Sequence, residues 1–129
     1  MTCAWEEAVR RGDAQALEAM LGAGAPIDAK DQHGQTALMV AAHRGHGEVV
    51  SLLVRHGAAL DHTAKYSLTA LMLAIIAGHP AIVRALAEAG ANQAIRGSGL
   101  MGFAGKTALD LARARGDAEM VAALEWGRE

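Results

Sequence analysis

Several groups of residues in this 129-residue chain have types and spacings that could do chemistry. Gly97-Ser98-Gly99-Leu100-Met101-Gly102 is a literal G-x-G-x-x-G. That pattern wraps a dinucleotide when it joins a buried strand to a helix and an acid follows about 20 residues later. Here Ala91-Asn92-Gln93-Ala94 come before it, and no hydrophobic strand is available. Gly105-Lys106-Thr107 imitates the end of a phosphate-binding loop, but position 100, where that loop needs its first glycine, is Leu. The six histidines invite a metal reading. His43 and His46 are separated by Gly45, which breaks a helix, so they need not share a face; His33, His56 and His62 sit in turn-like stretches without a Cys partner or an H-E-x-x-H spacing. Cys3 has no neighbouring histidine in sequence, and Ser51, Ser67 and Ser98 lie in no G-x-S-x-G elbow. The expectation is no catalysis, no cofactor and no bound metal, with the histidines structural or solvated.

The elements that carry these residues follow from an internal repeat. Thr36-Ala37-Leu38-Met39 returns as Thr69-Ala70-Leu71-Met72, 33 residues later, and Gly45-His46 returns as Gly78-His79 on the same interval. Gly24-Ala25, Gly57-Ala58 and Gly90-Ala91 keep it too, while Thr107-Ala108-Leu109 and Gly116 come 38 after their counterparts, so five residues are inserted between Ala94 and Gly105. Within a unit, a threonine N-cap opens a short helix over 37–44. Gly45-His46 ends it, and a second helix over 48–55 places Val49, Val50, Leu53 and Val54 on one apolar face. Gly57 supplies the positive φ that closes that helix. Pro80 stands near the start of the corresponding helix in the next unit, where a missing N–H costs nothing.

Composition agrees with closely packed helices. The chain holds 30 Ala and 14 Leu against four aromatics, Trp5, Tyr66, Phe103 and Trp126. Alanine favours helix and lets helix axes approach. A formal net charge of −2 argues against a protein that neutralises a phosphate backbone, so nucleic acid is not an expected partner. Apolar runs such as 71–77 are far shorter than the roughly 20 residues a membrane span needs. The acids of MTCAWEEAVRR occupy the place of a signal peptide's apolar stretch, and one cysteine permits no internal disulfide. A soluble cytoplasmic protein with no membrane partner is expected.

The pattern resembles the ankyrin repeat, through 31–42 (Asp31-Gln32-His33-Gly34-Gln35-Thr36-Ala37-Leu38-Met39-Val40-Ala41-Ala42) and 65–74. The resemblance implies an all-α solenoid of stacked helix-turn-helix units joined by β-turn or hairpin connections. It is expected as a single domain over 1–129, with units at about 1–30 (N-terminal cap), 31–63, 64–95 and 96–129 (C-terminal cap, with the five-residue insertion). Against the family pattern, Ala37, Ala70 and Ala108 replace a proline, and Met39 and Met72 replace a histidine. Ala64 and Ser67 stand where the third turn would carry Asp and Gly, which suggests a less rigid turn. The outer units are more polar at matching positions, with Glu6 and Asp110 in place of Met39 and Met72, and Glu125 in place of Val54 and Ala87, as end units require. Trp5, at the Leu38 position, can seal the first unit.

The resemblance also implies a binding face. Turn tips and the last residues of first helices line the concave side of such solenoids. Here these include Gln32, His33, Gln35, His43, Arg44, Lys65, Tyr66, Leu68, Ile76 and Arg115. The insertion adds Leu100, Met101 and Phe103 in a glycine-rich hairpin, either a binding tip or a loop folded back onto Tyr66 or Leu68; the two are not exclusive. Seven of the twelve basic residues (Arg10, Arg11, Arg44, Lys65, Arg96, Lys106 and Arg115) fall on this side, and Glu18, Glu48, Glu88 and Glu119 fall at the back. The expected function is non-catalytic binding of a protein with an acidic surface, by a chain that is monomeric. The alternatives are a small regulatory or inhibitory subunit of an enzyme, or a self-assembling module.

Overall fold

The computed structural model describes residues 3–98 and 102–125. Eight α-helices occur among them: α1 (Cys3–Arg11), α2 (Ala14–Gly22), α3 (Ala37–Arg44), α4 (Gly47–Arg55), α5 (Ala70–Ala77), α6 (Pro80–Glu88), α7 (Ala108–Arg115) and α8 (Ala118–Glu125). Each odd-numbered helix packs on the even one that follows it, and the pairs stack in two layers, α1-α3-α5-α7 in front and α2-α4-α6-α8 behind. Among the described residues the extended structure amounts to one isolated bridge between Gly97 and Ala104.

The threonines set where the front helices begin. Thr36, Thr69 and Thr107 each accept a hydrogen bond on the side-chain oxygen from the amide three residues on. Thr107 adds a reciprocal bond, its own N–H donating to the Asp110 carboxylate at 3.0 Å, so the last front helix opens with a full capping box. The bond and its partner hold the Asp110 carboxyl below the ordinary carboxylate range, with the Arg96 and Arg113 cations adding to the effect.

One continuous core runs from Trp5 and Leu17 through Leu38, Leu53, Leu71 and Leu86 to Met120 and Leu124. Met39 and Met72 are buried in it. At the equivalent positions of the outer pairs Glu6 is half-buried and Asp110 exposed, as expected for residues with a neighbour on one side only. Trp5 is 3% exposed and closes the first pair.

Candidate functional site

Between consecutive pairs the structure repeats a contact built from a glycine and a side chain above it. The His46 Nε2–H donates to the Arg10 carbonyl at 2.9 Å, and the His79 Nε2–H donates to the His43 carbonyl at 3.2 Å. Arg10, His43 and Ile76 are equivalent positions, and the third carbonyl, of Ile76, receives Arg115 Nη1 at 3.3 Å. Each donor lies against a glycine of the preceding pair: a Cβ on Gly12 would stand 2.7 Å from the His46 ring, and one on Gly45 would stand 2.7 Å from that of His79. These rungs satisfy carbonyls that a helix end leaves without an internal partner. They also fix the spacing of the front helices. His46 and His79 are thus structural, while His33, His43 and His56 are exposed. No three His, Cys, Asp or Glu side chains converge among the described residues. A second ladder joins the connections, with Asp28 Oδ1 accepting from Ala59 N–H at 2.9 Å and Asp61 Oδ1 from Asn92 N–H at 2.8 Å.

Arg115, expected on the binding face, is exposed there and its guanidinium also donates to the Ile76 carbonyl. Leu68, expected on the same face, is instead buried. It is 6% exposed and belongs to the core. Leu100 and Met101 lie outside the described residues. The G-x-G-x-x-G stretch sits between α6 and α7, and Gly97 N–H donates to the Lys106 carbonyl while Gly105 N–H donates to that of Gly97. These bonds close a local loop, and Thr107 is already the cap of α7.

The remaining front residues fall into two clusters. His33, Gln35, His43 and Arg44 line one cavity of about 330 Å³, together with Glu6, Arg10 and Asp31. Gln32 is exposed in the same turn. The turn is rigid, because Asp31 Oδ1 accepts from the His33 and Gln35 amides at 2.8 and 3.0 Å and Gly34 takes the left-handed position. Arg10 and Arg44 are formally balanced here by Glu6 and Asp31. Arg11 is also offset, lying 3.6 Å from Glu7 and 3.4 Å from Asp13.

The second cluster surrounds the third turn. Ala64 there has no carboxylate to offer the turn amides, and both Tyr66 and Ser67 are left-handed, at φ 64° and 57°. Each such residue costs about 1–2 kcal/mol relative to a right-handed one. The insertion supplies the missing support: Ser98 N–H donates to the Tyr66 carbonyl at 2.7 Å, and the Ser67 and Ser98 hydroxyls are 3.0 Å apart. The Tyr66 and Phe103 rings meet at 5.9 Å between centroids, tilted by 46°, and Lys65 Nζ lies 5.1 Å from the Tyr66 ring centre. The expected looseness of this turn is therefore offset by a contact from outside it. Ser98 escaped the sequence reading, although the departures at Ala64 and Ser67 were a signal that some outside support was needed. Ile76 is half-buried at the end of α5.

The opposite face carries a larger opening of about 450 Å³ between α2, α4 and α6. Its floor is the buried Leu52 and Ile82, and its walls mix Ala14, Ala81 and Ala85 with Glu18, Glu48, Ser51 and Arg55.

A solenoid of stacked helix pairs, with a capping threonine, an inter-helix glycine and a turn in each period, defines a repeat protein whose units contact their neighbours. A model of ankyrin repeats in three copies matches residues 5–97, and the chain belongs to the ankyrin repeat family. The fourth helix pair lies beyond that match and is joined to it by the same rung, through Arg115. No curated protein matches the chain. Repeats of this family generally serve as protein–protein interaction modules and are typically non-catalytic. No helix among the described residues is long and apolar enough to cross a membrane.

Proposed function

We propose that this chain is a non-catalytic interaction module that binds an acidic protein surface through its concave face and turn tips. The observation that carries the reading is the pair of side-chain clusters on that face. One is a cavity with His33, Gln35, His43 and Arg44 around it, and the other is an aromatic and cationic tip formed by Lys65, Tyr66 and Phe103. Partner surfaces of this kind combine aromatic anchors with a polar rim. Lys65, Arg96 and Lys106 on the turn tips favour an acidic partner. A single cysteine and short apolar runs support a cytoplasmic setting.

The test is capture of partners on the immobilised chain, identification by mass spectrometry, and then surface plasmon resonance with charge-reversed variants. Arg44→Glu with Lys65→Glu should slow association and reverse its salt dependence, because long-range charge acts chiefly on the on-rate. Phe103→Ala with Tyr66→Ala should speed dissociation. Arg55→Glu with Arg84→Glu, on the back helices, should change little. Equal loss from the back-face pair would remove the concave-face reading.

A further inference from the structure

The third turn combines strain with outside support in a way its neighbour does not. Two successive left-handed residues, Tyr66 and Ser67, stand where the second turn has Gly34 alone. Backbone strain persists where the surroundings enforce it, and it gathers at sites that meet ligands. Here the enforcement is Ser98, through its amide on the Tyr66 carbonyl and its hydroxyl beside that of Ser67. Ser98 is in turn held by the closure of Gly97 on Lys106 and Gly105. The Arg96 guanidinium donates to the Gly105 carbonyl at 2.6 Å and locks the same closure. The outcome is a Tyr66–Phe103 ring pair, half-exposed and pre-positioned, with the Lys65 ammonium 5.1 Å from the Tyr66 ring centre and with Arg96 and Lys106 on the closure that braces it. Aromatic side chains already fixed in place lose little freedom when a partner arrives.

We propose that this braced tip is the anchor of the concave face, and that it takes a protein segment in which an apolar side chain is flanked by carboxylates. The proposal rests on the protein-binding reading above and narrows it to one place and one partner chemistry. Charge decides between the two clusters. The cavity of the first two pairs holds Arg10 and Arg44 against Glu6 and Asp31, so it offers an acidic segment no net attraction. On the tip and its closure, Lys65, Arg96 and Lys106 outnumber the acid that opens the following helix, Asp110. Apolar contact with the two rings and charge contact with the lysines are then available to one short segment.

The experiment titrates the full isotope-labelled chain with a synthetic peptide that carries a Phe-Leu pair between runs of glutamate, followed by amide chemical shifts. A lysine-flanked peptide of the same core is the comparison. The glutamate peptide should move the amides of 64–68, 96–98 and 103–106, and bind at least about tenfold more tightly than its lysine counterpart. Lys65→Glu with Lys106→Glu should weaken it by about tenfold or more, while Arg10→Glu with Arg44→Glu stays within about twofold. Gly97→Ala leaves every cation in place, but its Cβ would overlap the Phe103 carbonyl oxygen. It should open the brace and weaken binding with the helical circular dichroism unchanged. Shifts confined to the cavity of Glu6, Arg10 and Arg44 would overturn the anchor and leave the concave-face reading standing. Shifts confined to α2, α4 and α6 would overturn both. No shift up to about 1 mM peptide would overturn the anchor.

Discussion

Replacing Gly45 by alanine tests the rung between the second and third pairs. Gly45 has φ +82°, and a Cβ there would stand 2.7 Å from Cε1 of His79. Gly57 has nearly the same backbone, φ +83°, with nothing within 4 Å of the added methyl. Both substitutions carry the left-handed penalty of about 1–2 kcal/mol, reduced by about 0.4–1 kcal/mol because alanine also stiffens the unfolded chain. Gly57→Ala should therefore destabilise by about 0.5–1 kcal/mol. Gly45→Ala must also displace the His79 ring from the His43 carbonyl, which adds a hydrogen bond worth about 0.5–1.5 kcal/mol. The difference between the two variants, about 1 kcal/mol, is the rung. With a urea dependence of about 2 kcal/mol per molar it appears as a midpoint difference of about 0.5 M. Coincidence of the fluorescence and circular dichroism transitions checks that one transition is being measured. A double-mutant cycle completes the test: His79→Ala should cost about 1 kcal/mol in the native background and far less beside Gly45→Ala. Equal midpoints for Gly45→Ala and Gly57→Ala, or an additive cycle, would refute the rung.

Leu53 and Leu86 are both 0% exposed at equivalent places between pairs, so Leu→Ala at either should lower stability by about 2–5 kcal/mol and leave the chain largely unfolded near 37 °C, as read by urea titration. The Asp110 carboxyl is held below its ordinary range by Thr107, so its contribution is present above the unfolded-state value and is lost as pH falls through the lower folded-state value. The stability gap between the native chain and Asp110→Asn should accordingly be constant near neutrality and close in acid, and a gap that widens in acid would contradict the capping box. NAD, ATP or GTP at millimolar concentration should leave the melting temperature unchanged, because Gly97 closes a local loop onto Lys106 and Thr107 is a helix cap. A site tighter than about 10 µM would add roughly 2.7 kcal/mol at a hundredfold excess of ligand.

The sequence alone determined where the helices begin and end and which of their faces are buried. These are local matters: a threonine oxygen reaches the amide three residues on, a glycine takes positive φ at no steric cost, and Leu or Val recur at the spacing of one helix face. Equivalence under the 33-residue period carried the assignment from one pair to the next, so Leu53 and Leu86 could be placed in the core, and Glu6 and Asp110 at its ends, before any coordinates. Tertiary structure decided what the sequence had left as punctuation or surface. His46 and His79 read as helix breaks, yet their rings reach carbonyls 36 residues back, and Arg115 substitutes for a histidine only because stacking brings Ile76 within its reach. Whether the inserted segment extended into solvent or folded back was open for the same reason. A hydrogen bond from Ser98 to Tyr66 spans two units, and its partner becomes visible once the stack sets the distance between the third turn and the fourth.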